Sequence, residues 1–354
     1  MGILFLTGRG SILIAGDNTL PKSKKKEYDN TPDDFSHILR LGKKMTLKNN
    51  AKLILNNINK ILIGKEDIVE LSVITFLASG HLLIEDVPGV GKTTLANLLA
   101  KSVDCDFSRI QFTPDTLPGD VLGTSIYNMK SGEFQFMQGP IMSNIVLVDE
   151  INRASPKTQS ALLESMQEGQ VTVDKVTYSL DDPFMVIATG NPIEFIGTHS
   201  LPEAQMDRFL MKLSIGYPDI AKEQEMAHHY VEGLFDEEIT PAVNRDEIIQ
   251  MRQEVKSVTV SSEVIDYIVK ITTATRSHES LSLGASPRAT LGLISAARGC
   301  AYVDGRDYVI PDDVKKVTPY VLCHRLTLTV EAKMNQKDAK TILSGILDRI
   351  RVPM

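Results

Sequence analysis

Lys92 and Thr93 close the run Glu85-Asp86-Val87-Pro88-Gly89-Val90-Gly91, and Thr94 follows them. A glycine-containing loop that ends on Lys-Thr and enters a helix is one way to hold phosphates. Successive backbone N–H groups of such a loop, and of the first helical turn after it, converge on a single anion. Gly89 and Gly91 let the backbone approach, Lys92 brings positive charge to the outer phosphates, and the Thr93 hydroxyl can ligate Mg²⁺. Pro88, Val90 and Thr94 complete the cradle. The general form of this loop carries glycine where this chain has Asp86. By itself the loop is also compatible with a plain turn before a helix.

A second chemistry-bearing group ends the apolar run Asn144-Ile145-Val146-Leu147-Val148 with Asp149 and Glu150. A continuous apolar run reads as a strand buried on both faces of a parallel sheet, and ligands bind beyond the carboxyl ends of such strands. Asp149 is placed to hold Mg²⁺, directly or through water, and Glu150 to take a proton from an attacking water. Solvated acids capping a strand are the duller reading. Hydrolysing a terminal phosphoanhydride also requires charge stabilisation and a water held in line. Asn191 could orient that water, or be a turn asparagine before Pro192. Arg208 could reach the phosphate of a neighbouring subunit, or pair with Asp207 or Glu203. Arg288 follows Ser286-Pro287 at a predicted helix start, where the helix dipole disfavours a cation unless a phosphate or carboxylate is near.

These residues need a scaffold, and the pattern predicts one. Helices are expected at 47–63, ending at Gly64, and at 67–78, and Leu95, Leu98 and Leu99 mark the buried face of the helix after the loop. Strands are expected at 109–112, 185–188 and 209–213. Two hairpins are expected, one around Lys130-Ser131-Gly132 and one around Asp174-Lys175, with a helix between them opening at Ser155-Pro156 and closing at Gly169. Strands alternating with helices give an α/β fold with a parallel sheet. Beyond Tyr217 the chain turns helical, with helices at 246–255, 263–276, 287–303 and 311–322. The expected division is a polar, flexible tail over 1–45, a nucleotide-binding domain over 46–216 and a helical domain over 217–354.

Composition narrows the classes. With 42% hydrophobic and 23% charged residues the chain reads as a globular protein, and its net charge of −7 opposes a sequence-independent nucleic-acid binder. Three cysteines without metal or redox spacing point to free thiols in a reducing, cytoplasmic compartment. No apolar run approaches the ~20 residues of a membrane span, and the start, Met1-Gly2-Ile3-Leu4-Phe5-Leu6, lacks the features of a signal peptide.

With the motifs in order, the chain resembles the MoxR family of AAA+ ATPases over about residues 46–354. The resemblance is carried by 85–93, by Val148-Asp149-Glu150-Ile151-Asn152-Arg153-Ala154, by Leu201-Pro202-Glu203-Ala204-Gln205-Met206-Asp207-Arg208-Phe209 and by Gly284-Ala285-Ser286-Pro287-Arg288. It implies an AAA+ P-loop NTPase fold, with a parallel sheet flanked by helices, two β-hairpin insertions and a smaller all-α lid. It implies that Lys92 and Thr93 belong to Walker A, Asp149 and Glu150 to Walker B, Asn191 to sensor 1, Arg208 to the arginine finger and Arg288 to sensor 2, with adenine contacts near Ile63 and Gly64. Asp86 departs from the general phosphate loop but not from this family. The implied activity is hydrolysis of ATP with Mg²⁺ in a hexameric ring that remodels or matures a partner, commonly one with a von Willebrand factor A domain. An ATP-gated binding module with incidental turnover is the alternative, ahead of a nucleic-acid motor or transcription activator.

Overall fold

The structure, a computed structural model, describes residues 4–6, 12–14, 47–191, 199, 201–233 and 239–353. Residues 1–44 form one unit and 45–354 another. In the first, β1 (Leu4–Leu6) pairs antiparallel with β2 (Ile12–Ile14), Leu4 opposite Ile14, where the sequence reading had assigned no element. The lysine-rich run 21–27 lies outside the described residues, as does most of the expected tail.

The second unit opens with α1 (47–59), α2 (Glu66–Leu77), β3 (Leu82–Glu85), α3 (Lys92–Ser102) and β4 (Phe107–Gln111). A short α4 (Pro118–Leu122) leads into a hairpin of β5 (Gly123–Asn128) and β6 (Glu133–Gln138). After β7 (Ile145–Asp149) comes α5 (Pro156–Glu168), then a second hairpin of β8 (Gln170–Val173) and β9 (Val176–Ser179). β10 (Met185–Gly190), α6 (Glu203–Met206) and β11 (Met211–Leu213) complete the α/β part. The remainder is α7 (Ile220–Val231), α8 (Arg245–Ser257), α9 (Ser262–Arg276), α10 (Pro287–Val303), α11 (Pro311–Leu322), α12 (Val330–Met334) and α13 (Ala339–Arg349). Among these helices a short ribbon forms, with β12 (Leu281–Leu283) antiparallel to β13 (Thr327–Leu328). No helix among the described residues is long and apolar enough to cross a membrane.

Local chemistry explains the boundaries. The Ser155 hydroxyl accepts from the Thr158 N–H, Pro156 occupies the first helical position, and Gly169 closes α5 at φ 63°. The α10 start repeats the device with Ser286, Ala289 and Pro287. The sheet order is β11-β3-β10-β7-β4, all pairings parallel. Its apolar strands sort by period two. Leu82, Ile84, Ile145, Leu147, Met185 and Ile187 face a core shared with α1, α2, α3 and the C-terminal helices. Leu83, Val146, Val148, Val186 and Ala188 face a second core against α5. Burial on both faces is why the acid-bearing run reads as unbroken hydrophobics.

Arg325 joins the helical part to the sheet. Its guanidinium donates to the carbonyls of Asp207, Phe209 and Leu210 and, through Nε at 2.7 Å, to the Asp207 carboxylate. His324 makes the same crossing, with Nε2 3.1 Å from the Phe209 carbonyl.

Candidate active site

β3 and α3 deliver the loop. Gly89 and Gly91 adopt φ of 85° and 92°, which only glycine takes without strain. Gly91 is the N-cap of α3 and no side chain caps that terminus, so its first N–H groups stay available to an anion. β10 lies between β3 and β7, which aligns the ends of three strands, with Ala188 beside both Leu83 and Val148. Beyond those ends lies a cavity of about 350 Å³ lined by Pro88, Gly89, Gly91, Lys92, Thr93, Thr94, Arg109, Gln111, Asp149, Glu150, Thr189 and Asn191.

Polar contacts set the cavity's chemistry. Lys92 Nζ donates to the Asp86 carbonyl at 2.8 Å. Asp149 accepts from Arg109 Nε at 2.6 Å and from the Thr189 hydroxyl at 3.1 Å. The Glu150 N–H donates to that same threonine oxygen at 3.0 Å, so Thr189 fixes both acids at once. Glu150 Oε2 accepts from Gln111 Nε2 at 2.9 Å and from Arg153 Nη1 at 2.7 Å. Glu150 itself stands at φ 58°, ψ 51°, a left-handed backbone that costs a non-glycine residue of the order of 1 kcal/mol and concentrates at functional sites. Thr93 and Asp149 offer oxygen donors, the kind that Mg²⁺ takes.

The sequence reading gave Arg109, Gln111 and Thr189 no part in the site. A signal for the first two existed: they alternate at the carboxyl end of β4, and the register puts Gln111 opposite Asp149. The remaining predicted residues lie elsewhere. The Val90 side chain turns into the core. Ile63 is buried, and Gly64 takes φ 71° beneath the stem of Lys222. Their neighbour Leu62 abuts the loop, since a Cβ on Gly91 would come within 3.1 Å of it.

Residues 81–211 match the ATPase family associated with various cellular activities (AAA), and residues 273–346 match the AAA lid domain. The chain is 50% identical over 298 residues to the protein YeaC of Bacillus subtilis, covering 84% of this chain and 93% of that one. It is 42% identical over 305 residues to Chaperone MoxR1 of Mycobacterium tuberculosis, covering 84% and 80%. The chain belongs to the MoxR family of AAA+ ATPases. It is an ATPase, and its fold is shared with a crystal structure from Cytophaga hutchinsonii, of a protein provisionally assigned as an ATPase. That match has a TM-score of 0.85 and 38% identity, over 90% of this chain and 100% of the other.

Within this MoxR-family fold, Arg208 and Arg288 are not among the residues lining the cavity. Arg208 Nη1 donates to the Leu163 carbonyl, not to Asp207 or Glu203. Those acids have other partners: Asp207 accepts from Arg325 and from the Ser286 hydroxyl at 3.0 Å, and Glu203 accepts from Thr327. Ser286 caps α10, whose exposed first turn carries Arg288. The two arginines therefore sit on one mount built from Asp207, Ser286 and Arg325.

Proposed function

We propose that the protein uses Mg²⁺-dependent ATP hydrolysis to remodel or mature a partner protein, one containing a von Willebrand factor A domain, and that it works as a hexameric ring. The observation that carries this reading is the meeting of Lys92, Thr93, Asp149, Glu150 and Asn191 around one cavity. Lys92 would bind the outer phosphates, while Thr93 and Asp149 would hold Mg²⁺, which supplies charge neutralisation on the phosphoryl oxygens. Glu150 would accept the proton of the attacking water, and Asn191 would orient that water. Ile63 and Gly64 would meet the adenine, since their turn lies against the phosphate loop. Arg208 and Arg288, both away from their own cavity, would serve the site of the adjacent subunit and the lid response. Residues 46–216 would act as the nucleotide domain and 217–354 as its lid. Three unpaired thiols support a cytoplasmic setting.

The test is an ATPase assay with and without Mg²⁺ across protein concentrations. Activity per subunit should rise as rings assemble. Arg208→Ala should be inactive alone and regain activity when mixed with Lys92→Ala, because mixed interfaces then pair an intact loop with an intact finger. Absence of rescue counts against a site shared between subunits. Partners retained by a Glu150→Gln protein held in its ATP state, identified by mass spectrometry, should include a von Willebrand factor A domain protein. If partner binding followed nucleotide state while hydrolysis-dead protein still matured the partner, the gated-module alternative would replace this one.

A further inference from the structure

Asp86 stands where the general phosphate loop has glycine, and its backbone does not need one. Gly89 and Gly91 take positive φ; Asp86 does not. Its side chain reaches far along the chain. Oδ2 accepts from the Gly216 N–H at 2.6 Å and from the Ser214 hydroxyl at 3.0 Å, while Oδ1 accepts from the Val87 N–H at 2.8 Å. Burial pushes this carboxyl up, but the bonds from Gly216, Val87 and Ser214 outweigh it and hold the group below its ordinary range.

The segment so gripped, Ser214–Tyr217, leaves β11 and leads to α7, the first helix of the part proposed above as the lid. A second residue holds it from the other side. Lys65 Nζ donates to the Ile215 carbonyl at 2.7 Å and to the Tyr217 carbonyl at 3.0 Å. Just beyond, the Lys222 stem covers Gly64 so closely that a Cβ there would meet Lys222 Cγ at 2.7 Å. Four consecutive residues are thus pinned alternately, 214 and 216 by the phosphate loop, 215 and 217 by the lysine beside Gly64. Gly216 makes the turn between them at φ 65°. Asp86 is itself held by its carbonyl, which accepts from Lys92.

We infer that Asp86 is a positioning residue that links occupancy of the phosphate loop to the hinge of the lid. The inference rests on the nucleotide reading of the cavity. A phosphate engaged by Lys92 competes with the Asp86 carbonyl for the ammonium. Losing that bond loosens Asp86, and with it the two bonds its carboxylate makes to Ser214 and Gly216. The hinge then responds to a ligand that it does not touch, while Lys65 keeps its other side in register.

Hydrogen exchange on the full-length protein reads this out, with ADP affinity titrated on the same samples. In wild type, ADP should slow exchange in the loop peptide over 89–94 and speed it at 214–217, by about tenfold at the Gly216 amide. General stabilisation by a ligand would slow both, so opposite signs are the signature. Asp86→Ala should exchange fast at 214–217 with or without ADP. Asp86→Asn, which keeps an acceptor oxygen for Gly216, should restore part of the ADP response, and Ser214→Ala should keep most of it. If Asp86→Ala does not fold, wild type and Asp86→Asn decide. ADP bound by wild type with exchange at 214–217 unchanged or slowed overturns the inference and leaves the site reading standing, as does a full response in Asp86→Asn. Failure of wild type to bind ADP overturns both.

Discussion

Among the chain's arginine–aspartate pairs, two of nearly equal length do different work. Arg109 and Asp149 meet at 2.6 Å in the cavity, with side chains 52% and 10% exposed; Arg325 and Asp207 meet at 2.7 Å, with side chains 4% and 19% exposed. The first arginine offers one N–H and keeps the rest of its fork in solvent. The second has its guanidinium filled by the carbonyls of Asp207, Phe209 and Leu210. An exposed pair is worth roughly 0–1 kcal/mol and can exchange partners, which suits a carboxylate that must accept a cation. A buried pair costs roughly 3–5 kcal/mol when one member is removed, because the other is left charged and dry. Distance alone would equate the two pairs; burial separates them into a site that trades contacts and a joint that keeps them.

The contrast can be broken at several points. The largest effect belongs to the cavity: Glu150→Gln should lower turnover by about 10²–10⁴-fold in a steady-state assay while retaining ATP binding and leaving Tm nearly unchanged. Turnover at the wild-type rate would remove Glu150 as the base. Next comes the joint. Arg325→Ala should lose roughly 3–5 kcal/mol in urea unfolding, and Arg325→Lys should recover little, since an ammonium cannot span the same acceptors.

Two partly buried histidines give a smaller, graded effect. Burial holds the His81 imidazole down at about 4, and its ring is fixed neutral between the Val186 N–H and the Met166 carbonyl. Burial and the Arg325 charge hold His324, beside the joint, well below its ordinary value. Both are neutral in folded and unfolded chains above about pH 6.5; below it the unfolded chain takes up protons that the folded one refuses. Stability should therefore fall as pH drops from about 6.5 toward 5, with a slope nearing two protons, and His81→Asn should flatten part of it. A flat profile there would contradict neutral burial. The smallest effect sharpens the comparison most: Arg109→Ala should change stability by less than about 1 kcal/mol. A loss as large as that of Arg325→Ala would erase the distinction.

Much of this was legible where local rules act. Ser286, Pro287 and Pro311 fixed the starts of α10 and α11, and the unbroken run 145–148 announced a central strand, because capping and two-sided burial leave marks on neighbouring residues. The β12–β13 ribbon was not legible, since its partners are distant in sequence, with α10 and α11 lying between Leu281 and Leu328. α7 was not singled out either. None of its residues is buried, so no apolar face imposes a clear period. Among site residues, the phosphate loop and the acids declared themselves by spacing. Thr189 did not, because its value lies in touching two acids on an adjacent strand, a relation that register creates and sequence order hides. For Arg208 the sequence left a pairing with Asp207 open; the structure shows that carboxylate already engaged by Arg325 and Ser286.

That engagement has a mechanical corollary. Asp207 belongs to the segment that feeds β11, whereas Ser286 and Arg325 belong to the helices beyond, and the three are knotted together. Arg208 and Arg288 thus hang from neighbours of one junction, and a double substitution at both should cost less than the sum of the single ones.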